Sequence, residues 1–80
     1  MSLFHTEDII LVHKKIREQD EPYFLLTGRI LGESQTEDGQ TVWPVELWSH
    51  AGNNPDWVVL ITFHVCILEE SLMLVRRKPV

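Results

Sequence analysis

Trp57-Val58-Val59-Leu60-Ile61-Thr62-Phe63-His64-Val65-Cys66-Ile67-Leu68 is the stretch on which the reading of this chain turns. Ten of its twelve residues are apolar, and many are β-branched or aromatic. Such side chains suit a pleated strand. Apolar residues fall on both faces of the alternation, which predicts a central strand covered on both sides.

Working outward, Glu69-Glu70-Ser71 makes a short polar break, and residues 72–77 read as a short last strand. Upstream, residues 49–56 hold Gly52, Asn53, Asn54 and Pro55 and read as a loop. Residues 42–48 read as a strand containing Pro44. Proline cannot donate a ladder hydrogen bond, so an edge or a bulge is expected there. Residues 34–40 carry Asp38-Gly39, which supplies the positive φ angles of a tight hairpin turn. Residues 23–33 are rich in aromatic and aliphatic side chains, with Gly28 and Gly32 marking a bulge or sharp bend. The polar run from Arg17 to Pro22 is a further loop.

The first segment fits two templates. Thr6 as a cap, Glu7 and Asp8 in a first turn and Lys14, Lys15 and Arg17 in a last turn would suit a helix dipole. Against this, Ile9, Ile10, Val12 and Ile16 are stiff and β-branched, and no glycine follows as a cap. A strand is the preferred reading. Short loops between strands imply antiparallel neighbours. The expected fold is all-β, a small five-stranded antiparallel SH3-like barrel bent at its glycines. The alternative is an α+β fold, with a helix over residues 7–18 packed on a four-stranded antiparallel meander.

Eighty residues are enough for one domain, expected to span residues 1–80. Composition is 44% apolar and 24% charged, which is ordinary for a globular chain. With one cysteine, Cys66, no internal disulfide can form. Small secreted domains usually need such staples, so the cytoplasm is the expected compartment. No apolar run approaches the roughly 20 residues of a membrane span, and no signal peptide is expected. The net charge is −5, so the overall field does not attract nucleic acid or anionic lipid.

Chemistry-bearing residues are sparse. His64 and Cys66 share a strand face with Thr62, and His5, His13 and His50 are scattered, with no zinc-type spacing. No metal or other cofactor is expected. Cys66 in a buried strand makes a poor nucleophile. Glu46 would need a raised pKa for general acid–base work. Gly28 and Gly32 do not make a phosphate loop. Six of the seven basic residues form two clusters, Lys14-Lys15-Arg17 and Arg76-Arg77-Lys78. If the first and last strands pair antiparallel, those clusters lie at opposite ends of the pair.

The aromatics and acids carry the functional reading. Trp43 and Trp48 are out of phase along their strand, and Trp57 opens the next one. Exposed tryptophan and tyrosine are typical interface anchors. Acidic residues gather in the loops, among them Asp20 and Glu21. The expected function is non-enzymatic: an accessory, adaptor or inhibitor module that docks on a protein, including one with a basic surface. Tyr23, Trp43, Trp48, Trp57, Asp20 and Glu21 are its candidate partner-binding residues. Apolar residues on both faces also point to self-association, as a homo-oligomer. The competing readings are a nucleic-acid-binding small β-barrel and an enzyme subunit using a histidine and Glu46.

Overall fold

The computed structural model describes residues 3–49 and 61–77. Six strands form one antiparallel sheet: β1 Ile9–Val12, β2 Thr27–Ile30, β3 Gln35–Glu37, β4 Gln40–Ser49, β5 Ile61–Leu68 and β6 Leu72–Arg76. Two 3-10 turns interrupt them, at Glu18–Tyr23 and Glu69–Ser71. The chain is therefore mostly β, and the first segment is a strand rather than a helix over residues 7–18. Among the described residues there are six strands where five were expected, because Gln35–Glu37, within the stretch 34–40 read as a loop, pairs with β4 as a strand of its own, and the stretch 23–33 is shorter as a strand than expected. Tyr23 closes a 3-10 turn, β2 occupies only Thr27–Ile30, and a separate β3 follows Gly32.

β4 is the organising strand. One edge pairs with β5 over eight residues, from Val42↔Leu68 to Ser49↔Ile61. Its other edge is shared, with β3 on residues 40–42 and β2 on residues 45–48. β1 lies against β2, and β6 against β1. Among the described residues no ladder joins β5 to β6, so the sheet is not closed.

Pro44 sits inside this central strand, not at an edge. It falls between the stretches paired to β3 and to β2. Its carbonyl accepts from the Leu31 amide at 2.9 Å, so its nitrogen points toward the same gap. The missing donor thus costs no bond to β5; what is forgone is the reciprocal bond to the Leu31 carbonyl, just where the β2 ladder ends. Gly28 marks a close approach. A Cβ there would run into the Glu46 carbonyl and lie 2.9 Å from the Leu47 Cα. The Asp38-Gly39 turn forms as the sequence predicts, with φ of 51° and 76° between β3 and β4.

One face of the sheet packs the core. Ile10, Val12, Ile30, Trp43, Val45, Leu47, Ile67 and Leu72 meet there with Phe4. The Phe4 and Trp43 rings pack edge to face at 5.4 Å. Tyr23 meets Phe63 in the same way at the rim.

The expectation for residues 57–68 needs correction. Residues 57–60 lie outside the described residues. Within β5, only Ile67 and Leu68 are buried, and Ile61 is 52% exposed. Among the described residues β5 pairs with β4 alone, so it is an outer strand of the sheet rather than an interior one. Its odd residues Phe63, Val65 and Ile67 face the core, while Thr62, His64 and Cys66 face the other way.

Candidate functional site

The sheet face turned away from the core carries a row of polar groups built by strand register. Alternation puts Arg29 of β2, Glu46 of β4 and His64 of β5 side by side, through the pairs Arg29↔Glu46 and Glu46↔His64. The next row brings Leu11, Thr27, Trp48 and Thr62 together across β1, β2, β4 and β5. Met73 of β6 stands beyond Leu11.

Glu46 is the hub. One carboxylate oxygen accepts from the Trp48 indole N–H at 2.8 Å. The other accepts from Arg29 at 3.2 Å and lies 3.3 Å from His64 Nε2. Arg29 also donates to both oxygens of Glu7 at 3.0 Å. The indole N–H, followed by the guanidinium, holds the Glu46 carboxyl below the usual carboxylate range. General acid–base work at neutral pH would need the opposite shift. The raised pKa considered from the sequence is therefore not what this environment produces. The geometry instead fixes the Trp48 ring, half-buried and oriented, in the middle of the outer face.

Two further ion pairs are structural. Asp20 is buried and takes both its oxygens to Arg17, at 2.8 and 2.9 Å. The same guanidinium donates to the Cys66 carbonyl at 3.1 Å. Asp8 is 1% exposed and accepts from Arg77 and from the His5 amide. Burial alone pushes the Asp8 carboxyl up. The hydrogen bonds from Arg77 and His5, together with nearby positive charge, outweigh burial and hold it below its ordinary value.

The structure sorts the residues singled out from the sequence. Trp48 and Tyr23 are half-buried, and Glu21 is exposed. Trp43 is 2% exposed, with its indole N–H on Glu69 at 2.7 Å. Burial withdraws Trp43 and Asp20 from the surface. Trp57 and His50 lie outside the described residues. Trp48 and Tyr23 are not brought together: Trp48 faces outward, while Tyr23 packs on the core-side ring of Phe63. Among the described residues no three His, Cys, Asp or Glu side chains are grouped as metal ligands would be, and no helix is long and apolar enough to cross a membrane. The sequence reading missed Arg29, the single basic residue outside the two clusters, and Glu7. The alternation Thr27-Gly28-Arg29-Ile30, polar outward and apolar inward, was the available signal.

The chain matches no family model, no curated protein and no solved structure. Its role is therefore argued from its own geometry.

Proposed function

We propose that this chain is a non-enzymatic protein-interaction module that docks through the outer face of its sheet. The observation that supports this best is the Trp48 indole, oriented by Glu46 and flanked by Leu11, Thr27 and Thr62. A ring already fixed in place loses little conformational freedom on binding. Exposed Glu18 and Glu21 in the 3-10 turn, with Glu33 and Asp38 between strands, give the connections an acidic character that would steer a basic partner. The strand connectivity supports a finer fold reading as well. Taken as one bent strand, β2 and β3 join β1, β4, β5 and β6 in the order of a small SH3-like barrel, with no ladder between β5 and β6 among the described residues.

The nucleic-acid reading has weaker support. β1 and β6 pair antiparallel, so Lys14 and Lys15 lie beyond one end of the pair and Arg76 at the other. Arg17, Arg29 and Arg77 are already engaged by carboxylates.

The test is affinity capture from the native host, followed by titration of the purified partner. Trp48→Ala should weaken binding by about 30-fold or more, the roughly 2 kcal/mol of an aromatic anchor. Gln35→Ala, exposed on β3 and paired with the end of β4 away from Trp48, should leave affinity nearly unchanged. Capture of nucleic acid alone, or turnover of a small substrate by the pure chain, would replace this reading with one of its rivals.

A further inference from the structure

The two outer strands of the sheet are not equivalent. Leu31 donates to the Pro44 carbonyl, so even-numbered residues of β4 turn their backbone groups toward β2. Their partners Thr62, His64 and Cys66 then turn theirs away from β4. At one end of this outer edge the Cys66 carbonyl is already taken by Arg17, which Asp20 holds in place. A folded-back side chain thus covers part of the β5 edge.

β6 has no such cover among the described residues. The His13 amide donates to the Ser71 carbonyl at 2.8 Å, which fixes the alternation of the β1–β6 ladder. Met73 turns its backbone groups toward Leu11, whereas Leu72 and Leu74 turn theirs away from β1. The Leu72 N–H closes the preceding 3-10 turn on Glu69. The Leu72 carbonyl and both backbone groups of Leu74 remain on the outer edge. The side chains of Met73, Leu74 and Val75 are exposed, Val75 by 53%. A short apolar edge strand of this kind is a template for another strand.

Charge says which strand fits. The segment reads Glu69-Glu70-Ser71-Leu72-Met73-Leu74-Val75-Arg76-Arg77: acidic, then apolar, then basic. Glu69 is engaged by Trp43 and Arg77 by Asp8. Glu70 and Arg76 are exposed and, among the described residues, have no ion-pair partner. An antiparallel copy of the same segment places its own basic end beside this acidic end.

We propose that the occupant of the β6 edge is the β6 edge of a second copy of this chain, in a two-fold antiparallel pair centred on Met73. In this register the Leu74 amide of each copy donates to the Leu72 carbonyl of the other. Glu70 of each copy stands beside Arg76 of the other. The Met73 side chains meet across the axis at a pair without backbone hydrogen bonds, where Cα atoms lie about 4.5 Å apart. The interface is isologous, so it closes as a dimer and does not propagate. It uses the β6 edge rather than the face around Trp48, so it stands or falls separately from the proposed docking role.

Sedimentation equilibrium over a concentration series tests it. The expected result is a monomer–dimer equilibrium. Glu70→Arg or Arg76→Glu alone should raise the dissociation constant about tenfold, and the double charge swap should restore it to within about threefold of the wild type. Thermal melts confirm that each variant folds. Met73→Cys in a Cys66→Ala background should form a disulfide-linked dimer under mild oxidation, because the spacing suits a disulfide. Glu18→Cys should not. A monomer at all concentrations overturns the proposal. So does an open-ended or larger assembly, or a dimer that the double swap fails to restore.

Discussion

Asp8 and Arg77, sixty-nine positions apart, clasp the two ends of the chain. Arg77 Nη2 lies 2.9 Å from the Asp8 carboxylate, and Nε lies 3.2 Å from each of its oxygens. Asp8 precedes β1 and Arg77 follows β6, so the pair closes the β1–β6 ladder at the end where its register shifts at Ile9.

This clasp makes the fold sensitive to acid. The folded Asp8 carboxyl lies below its ordinary value of 3.8. A depressed folded pKa contributes stability that is fully present above the unfolded value and is lost as pH falls through the folded one. Denaturant midpoints measured from pH 7 down to pH 2 should fall below about pH 4, and Asp8→Asn should flatten that part of the curve. Arg77→Met should lower the midpoint at neutral pH as well, because it leaves a buried carboxylate short of donors. An unchanged acid limb in Asp8→Asn would place the acid-sensitive group elsewhere.

Gly28 and Gly32 should respond oppositely to alanine. The Cβ of Gly28→Ala would meet the backbone of Glu46 and Leu47, which cannot swing aside as a side chain could. A cost of about 1–3 kcal/mol is expected, the range for overpacking. At Gly32 the added carbon meets only Pro44 Cγ at 3.9 Å, and no positive φ is involved. Gly32→Ala should be neutral, or stabilising by about 0.4–1 kcal/mol through the unfolded chain. Equal effects at the two sites in a chemical melt would contradict the close approach of β2 to β4.

Leu25 should be improved by the substitution that Gly28 forbids in reverse. Phe24 has φ −59° and ψ 131°, and Leu25 has φ 68°. The Leu26 amide donates back to the Tyr23 carbonyl at 3.1 Å, which makes a type II turn. Val12 then faces two residues at once, accepting from Leu25 and donating to Leu26, so the turn runs into a bulge. Leucine at this φ is strained, and its side chain is 61% exposed. Leu25→Gly should raise stability by up to about 1 kcal/mol, while Leu25→Ala keeps the strain and stays near the wild type. Gly39→Val at φ 76° should cost about 1–2 kcal/mol. If Leu25→Gly is less stable than Leu25→Ala, the leucine side chain does something the strain alone does not explain.

These cases show what the sequence made legible. The Asp38-Gly39 turn was readable because its φ requirement is local. The strand character of β4 and β5 was readable because apolar side chains recur along each. The Leu25 turn was not, since no glycine or asparagine advertises a positive φ there. Nor were the pairs Glu46–His64, Arg29–Glu7 and Asp8–Arg77, which depend on register between strands distant in sequence. Trp43 and Trp48 were correctly put on opposite faces, but which face is buried is decided by the strands on either side. The β5 error is instructive. Thr62, His64 and Cys66 alternate with Phe63, Val65 and Ile67, a one-sided pattern within residues 61–68. Counting Cys66 as apolar and including residues 57–60 concealed it.

Amide hydrogen exchange separates β4 from β5 residue by residue. Residues 45–48 of β4 lie between β2 and β5, so amides turned either way can be paired. They should be among the slowest in the molecule, because their opening requires the sheet itself to come apart. In β5 the pairing with β4 is on one side only. Phe63, Val65 and Ile67 turn their amides toward β4 and should exchange slowly, whereas Thr62, His64 and Cys66 turn theirs outward and should exchange faster. The Arg17 guanidinium engages the Cys66 carbonyl and not its amide, so it offers that amide no protection. Exchange resolved by nuclear magnetic resonance at low concentration should therefore show an odd–even alternation along β5 and uniform protection along residues 45–48 of β4. Uniformly slow amides through residues 61–68 would mean that another strand covers the outer edge of β5, and the sheet order given above would have to be extended on that side.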